Sequence, residues 1–248
     1  MKLVILDREG VINRAVQGYV LGPEQFEPLP GSLEAIARLH HAGYRVAVAT
    51  NQAPLSRGLF DMAMLNTIHQ RMCRLVEAVG GRIDAIAICP HSPEQDCNCR
   101  KPRPGMLLEL IDRFGALPAQ TTMIGDTPAD VLAGLAAGCD TWLVRTGHGQ
   151  ATLDSGLLPP QVQVCNDLAD AVDSLLGAEH GARPPEAVLA PPRGDSAQRE
   201  GGTTHGARPP EGVLAPPWGD SAQREGGTTH GARPPEAVLA PPAAPKTP

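Results

Sequence analysis

The feature that most narrows the fold is the opening run Leu3-Val4-Ile5-Leu6, which ends on Asp7-Arg8-Glu9-Gly10. Four consecutive apolar residues with no polar alternation suit a strand buried on both faces. Such strands belong to parallel sheets covered by helices on either side. In open α/β sheets ligands bind beyond the carboxyl ends of the strands, and Asp7 stands at that end, followed by Glu9 and a glycine turn. A carboxylate so placed can act as a nucleophile toward phosphorus, or it can cap a turn or helix. The segment alone leaves both open.

The rest of the chain repeats the pattern. Tyr44 to Thr50 reads as a second buried strand, Ile83 to Cys89 as a third and Thr121 to Ile124 as a fourth running into Gly125-Asp126. Thr141 to Val144 and Val162 to Cys165 follow. Between them the spacing predicts helices from Ser32, taken as N-cap, to a stop at Gly43, then Asp61 to Val79, Pro104 to Phe114, 128 to 137 and Asp167 to Leu176. Gly10 to Gly31, Ala53 to Ser56 and Gly147-His148-Gly149 read as loops. The alternation predicts an α/β class, a doubly wound parallel sheet. The interval between the first two strands is too short for a large cap domain.

From His180 onward the composition changes to a tandem repeat of 25 residues, at 180 to 204 and 205 to 229, with a partial copy from His230. The full copies differ only at Ala187/Gly212 and Arg193/Trp218. Each offers only Val and Leu as sizeable apolar residues among many prolines and glycines, too little burial to offset the entropy of ordering. The expected division is therefore a domain over 1–179 and a disordered tail over 180–248. Acidic and basic residues balance within the tail, so the formal charge of −6 belongs to the domain. An acidic domain without a basic patch gives no reason to expect nucleic acid. No apolar stretch approaches the ~18 residues needed to span a bilayer, and the N-terminus lacks a signal peptide's h-region and cleavage site. A cytoplasmic, monomeric protein is the simplest expectation.

Three of the six cysteines crowd into Cys89-Pro90-His91-Ser92-Pro93-Glu94-Gln95-Asp96-Cys97-Asn98-Cys99. Cys89, His91, Cys97 and Cys99 form a three-thiolate, one-imidazole set, which suits a closed structural zinc site. Arg100 and Lys101 follow directly, so a zinc-pinned loop would fix two cations. His40, His41, His69 and His148 have no ligand spacing and read as surface or helix residues. Cys73, Cys139 and Cys165 read as small buried side chains.

Polar residues thus collect at strand ends: Asp7 and Glu9, Thr50, then Asp126 and Asp130. A carboxylate attacking a phosphate dianion needs a divalent cation and fixed positive charge. Mg²⁺ suits one or two carboxylates with substrate phosphate. Asp126 supplies the second carboxylate, Lys101 and Arg100 the charge, and Thr50 a hydroxyl donor.

On these residues the chain resembles the haloacid dehalogenase superfamily of phosphotransferases, over residues 1 to about 176. Its four motifs match Asp7-Arg8-Glu9-Gly10-Val11, Thr50, Lys101 and Gly125-Asp126-Thr127-Pro128-Ala129-Asp130. More narrowly, LDREGVIN, TNQ, the CPH…CNCRKPRPGM block and IGDTPAD are similar to the D-glycero-D-manno-heptose-1,7-bisphosphate 7-phosphatase family. The resemblance implies an Mg²⁺-dependent phosphatase of lipopolysaccharide heptose precursor synthesis, with a small sugar phosphate as substrate. Asp7 would form an aspartyl-phosphate and Glu9 would serve as acid and base. Mg²⁺ would be held by Asp7, Asp126 and the Glu9 backbone carbonyl, with Asp130 in support and Thr50, Asn51, Gln52, Arg100 and Lys101 meeting substrate. Three positions depart from the family pattern: Glu9 in place of Asp, Ala53-Pro54-Leu55-Ser56 after TNQ, and Thr127 where some members have lysine. Two alternatives remain open: a histidinol-phosphate phosphatase, whose family shares the motif and a similar zinc loop, and a binding protein weakened in catalysis by Glu9.

Overall fold

The computed structural model describes residues 1–181. Residues 182–248, nearly all of the repeat expected to be disordered, lie outside the described residues; His180 and Gly181, assigned to that tail, close a helix that begins at Leu168.

Six strands form one parallel sheet: β1 (Leu3–Leu6), β2 (Arg45–Asn51), β3 (Ala85–Cys89), β4 (Thr121–Gly125), β5 (Asp140–Val144) and β6 (Gln163–Cys165), in the order β3-β2-β1-β4-β5-β6. Seven α-helices are present among the described residues: α1 (Ser32–His41), α2 (Ala53–Ser56), α3 (Met62–Ala78), α4 (Gly105–Phe114), α5 (Pro128–Ala136), α6 (Gly149–Asp154) and α7 (Leu168–Gly181). The order of strands reverses direction between β1 and β4, and in such sheets the crevice at that switch point receives the ligand.

Period-two alternation along β1 sorts its side chains between two cores. Val4 and Leu6, with Val46, Val48, Ile124 and Val144, join Ile36, Ile68, Met72 and Val172 of α1, α3 and α7. Leu3 and Ile5, with Ala47, Ala49 and Met123, join Met106, Leu107, Leu110 and Ala133 of α4 and α5. All four β1 residues are fully buried, as the unbroken apolar run requires.

The expected sheet is present, and the differences are local. Gly31, in the left-handed region, occupies the cap position of α1; Ser32 is the first helical residue, and its hydroxyl donates to the Ile12 carbonyl at 2.7 Å. The segment after TNQ is a short helix. Pro54 falls in its first turn, where the missing N–H has no intrahelical partner to lose. Strand β3 begins at Ala85 rather than Ile83. Gly149, read as loop, opens α6.

Candidate active site

Strands β1 and β4 lie side by side with Leu6 opposite Ile124, and the Asp7 N–H donates to the Ile124 carbonyl at 2.9 Å. The first residue beyond each strand is therefore an aspartate, and the two emerge together at the switch point. Asp130, from the first turn of α5, joins them: one carboxylate oxygen of each of Asp7, Asp126 and Asp130 lies within 4.8 Å of the others. Lys101 enters from the far side. Its Nζ is 2.7 Å from Asp7 Oδ1, 2.6 Å from Asp130 Oδ1 and 2.7 Å from the Ala49 carbonyl oxygen. Asp126, Asp130 and Lys101 are almost completely buried, and Asp7 keeps 9% of its surface exposed.

Three carboxylates against one ammonium leave a surplus of negative charge. Burial, with Asp7 and Asp130 nearby, pushes Asp126 up to about 8. Burial likewise raises Asp7 to about 6 although Lys101 opposes it. For Lys101 burial works against the charge, but Asp130 and Asp7 outweigh it and the pKa rises. Asp126 is held tightly around this strain. Its Oδ2 accepts the His148 N–H at 2.8 Å, its carbonyl accepts the Thr152 hydroxyl at 2.9 Å, and Thr146 bonds the Gly10 carbonyl at 2.6 Å. Gly10 and Gly147 both have positive φ, and a Cβ on either would collide with the Asp126 carboxylate. Asp126 Oδ1 is buried without a hydrogen-bond partner among the described residues. A buried, unpartnered carboxylate oxygen beside two further carboxylates fits a hard divalent cation with oxygen ligands.

Asp130 carries two tasks. Its Oδ2 accepts from the Thr127 N–H at 3.0 Å and the Thr127 hydroxyl at 2.6 Å, a capping box that starts α5, while Oδ1 faces Lys101. Thr127 is thus a helix cap, the role its residue type favours. Thr50 ends β2 almost fully buried, and its oxygen accepts from Gln52 Nε2 at 2.9 Å, which leaves the hydroxyl proton to be donated. Asn51 clasps Lys101 from both sides: its Nδ2 donates to the Lys101 carbonyl at 3.0 Å, and its Oδ1 accepts the Lys101 N–H at 3.1 Å. Gln52 is almost fully buried and Asn51 half-buried, so both position neighbours. Arg100 gives Nη1 to the His91 carbonyl at 3.1 Å.

Arg8 and the loop of Gly147 and His148, to which the sequence assigned no part in the site, belong here. Arg8 is completely buried; its Nη2 bonds Glu9 Oε1, and its Nη1 is 3.4 Å from His69 Nε2. The loop of Gly147 and His148 supplies the backbone donor to Asp126.

Beside the cluster, Cys89, His91, Cys97 and Cys99 converge. The sulfurs are 3.4 to 3.6 Å apart, and His91 Nδ1 is 3.2 Å from Cys99 and 3.7 Å from Cys89. Ligands ~2.3 Å from one tetrahedral ion would be separated by about 3.8 Å for sulfur pairs. A disulfide needs ~2.05 Å, so these thiols are arranged around a point and not bonded to each other. Burial pushes Cys89 up to about 12; at Cys97 burial is overcome by hydrogen bonds from Cys99 and the Arg100 N–H, which draw it down to about 7.

An open groove of about 860 Å³ runs past this loop between Leu21, Leu55, Leu59, Phe60, Met62 and Pro90. The carboxylate cluster does not line it.

Comparison with known proteins places the chain in a family. The HAD-hydrolase-like family profile matches residues 98–171. Over 176 residues the chain is 48% identical to the D-glycero-beta-D-manno-heptose-1,7-bisphosphate 7-phosphatase of Bordetella bronchiseptica, covering 71% of this chain and 98% of that protein. The crystal structure of the D,D-heptose 1,7-bisphosphate phosphatase from B. bronchiseptica, complexed with magnesium and phosphate, superposes with a TM-score of 0.70 at 48% identity, covering 72% of this chain and 99% of that one. That of the D,D-heptose 1,7-bisphosphate phosphatase from Burkholderia thailandensis gives 0.57 at 45% identity, covering 71% and 99%. With nearly the whole of such relatives matched at this identity, the chain belongs to the D-glycero-beta-D-manno-heptose-1,7-bisphosphate 7-phosphatase family of HAD-like hydrolases.

Proposed function

We propose that this protein is an Mg²⁺-dependent phosphoric monoester hydrolase that removes the 7-phosphate of D-glycero-D-manno-heptose 1,7-bisphosphate, in the cytoplasmic synthesis of lipopolysaccharide heptose precursors. The observation that carries the reading is the pair of aspartates on adjacent strand ends, Asp7 partly accessible and Asp126 buried, with Lys101 bridging Asp7 to Asp130. The Asp7 and Asp126 carboxylates, with the Glu9 backbone carbonyl, would hold Mg²⁺, which would supply the positive charge that keeps both aspartates ionised and offsets charge on the phosphoryl oxygens. Lys101 fixes Asp7 Oδ1, which leaves Oδ2 to attack phosphorus. As the bond from phosphorus to the sugar oxygen breaks, Glu9 gives that oxygen a proton. In the second half Glu9 takes a proton from water as the water oxygen attacks phosphorus, and Asp7 leaves as the free carboxylate. The Thr50 hydroxyl and the Lys101 ammonium orient the phosphoryl oxygens, and Asn51, Gln52 and Arg100 hold the two loops that carry them. Cys89, His91, Cys97 and Cys99 would hold a structural zinc, since the four protein ligands would leave no position open for chemistry.

The test is phosphate release by the full chain with Mg²⁺ from the heptose bisphosphate and from histidinol phosphate. Turnover of the bisphosphate, abolished by Asp7→Asn, is expected. Turnover of histidinol phosphate alone would overturn the substrate, and release from neither would favour a binding protein.

A further inference from the structure

The chemistry above leaves Arg8 unused, although it is the largest side chain that is fully buried and it sits between the two carboxylates of the nucleophile loop. A buried guanidinium is costly unless it is paired. Its pair is Glu9, whose side chain keeps 24% of its surface exposed. The other edge of the fork faces the His69 ring on α3 at 3.4 Å. Burial and the Arg8 charge push His69 down to about 3, so the ring is neutral and its Nε2 offers a lone pair. Arg8 Nε has no partner among the described residues. A group placed for stability alone would have its donors satisfied.

We propose that Arg8 is a positioning residue for the acid–base step: Nη2 holds Glu9 Oε1, so that Oε2 is the oxygen presented to the reacting groups. The idea rests on the assignment of Glu9 made under Proposed function. In the first half-reaction the proton on Oε2 passes to the sugar oxygen as its bond to phosphorus breaks, and Oε1 keeps its hydrogen bond to Arg8. In the second half-reaction Oε2 takes the proton from water while the new bond to phosphorus forms and the bond from phosphorus to Asp7 breaks. His69 holds the opposite edge of the guanidinium, so the planar fork cannot turn about its long axis. The glutamate side chain has three rotatable bonds, and fixing one carboxylate oxygen removes most of that freedom before substrate arrives.

The experiment is a double-mutant cycle in the full chain with Mg²⁺, reading kcat and KM for phosphate release from the heptose bisphosphate. Arg8→Met should lower kcat by about 10- to 100-fold with KM changed less than about threefold, the size of a mispositioned acid–base group. Arg8→Lys, which keeps the charge but not the fork, should recover part of that. Once Glu9→Gln has removed the acid, adding Arg8→Met should change kcat less than about twofold. If Arg8→Met costs the same factor in both backgrounds, or nothing in either, Arg8 does not act through Glu9 and the proposal fails. Should Arg8→Met not fold, Arg8→Lys carries the same cycle, with a kcat loss present with Glu9 and absent with Gln. If Glu9→Gln is itself as active as the parent, the acid–base assignment of Glu9 falls, a different result from a failed cycle.

Discussion

Removing Mg²⁺ should make the stability of this protein fall as pH rises from 5 to 8, the reverse of the acid lability that carboxylates usually confer. The cause is the surplus of negative charge at the switch point. Asp126 is raised from 3.8 to about 8 and Asp7 to about 6, burial being the first cause of each. A carboxylate whose pKa is higher in the folded chain takes up a proton on folding. Its contribution to stability is complete below the unfolded value near 3.8 and is lost as pH rises through the folded values. Between pH 5 and 8 the Asp126 shift spans three units, an upper bound of about 4 kcal/mol at ~1.4 kcal/mol per unit. Relaxation and water entry reduce it to roughly 2 kcal/mol. For a domain of this size that is a fall in Tm of about 4 to 8 °C. Mg²⁺ requires the deprotonated carboxylates, so it should restore Tm strongly at pH 8 and little at pH 5. Thermal melts in buffer freed of Mg²⁺ by dialysis, without a chelator that would also strip zinc, measure this directly. Asp126→Asn, which keeps an oxygen for the His148 N–H, should flatten the slope and raise the Mg²⁺-free Tm at pH 8. A parent Tm that is flat or rises from pH 5 to 8, or an unchanged slope in Asp126→Asn, would refute the charge argument.

Three further outcomes are expected. Gly147→Ala places a Cβ against the Asp126 carboxylate at a residue with φ of 58°, so Mg²⁺ affinity by calorimetry should drop at least tenfold, with a loss of roughly 1 to 3 kcal/mol in denaturant melts. Elemental analysis should find one zinc per chain, lost in Cys97→Ser together with most phosphatase activity; zinc-free protein from zinc-rich medium would remove the structural-zinc reading. Asn51→Ala deletes both bonds that clasp the Lys101 backbone, at about 1 to 3 kcal/mol of stability by denaturant melt. It should lower kcat while zinc content stays at one.

The ends of β1, β2 and β4 were legible because their buried apolar runs lead directly to a polar residue at the carboxyl edge of the sheet, where ligands bind. Asp7, Thr50 and Asp126 stand at those ends, each buried. Helix α2 escaped because four residues are too few to show a helical period and read as a loop, although a proline at a helix start has no N–H partner to lose. Helix α6 escaped because two glycines flank His148 and six residues carry too little periodicity to register. Arg8 had a signal that went unused. Along a strand, alternate residues share a face, so Arg8 continues the face of Val4 and Leu6, which packs against α1 and α3, while Asp7 continues that of Leu3 and Ile5. An arginine extending an all-buried face must find a partner inside the protein. The sequence alone does not say which helix residue meets it, because the register of α3 against the sheet is set by packing.

The two clusters divide the work of placing charge. Aspartates can be delivered by strands, since the sheet ladder sets the backbones of Asp7 and Asp126 side by side, and the loop of Gly147 and His148 then holds the Asp126 carboxylate. Lys101 cannot be delivered that way. It lies between β3 and α4 in a stretch with few apolar residues, so the core does not hold it, yet its ammonium must meet two buried carboxylates. The chain fixes the start of that stretch at Cys89, fully buried at the end of β3, and ties Cys97 and Cys99 back to it around one point. Asn51, at the end of the neighbouring strand β2, then grips the backbone of Lys101. The four converging side chains act on the loop, and Asn51 acts on the lysine backbone. A change in either should reach the phosphate through the same ammonium.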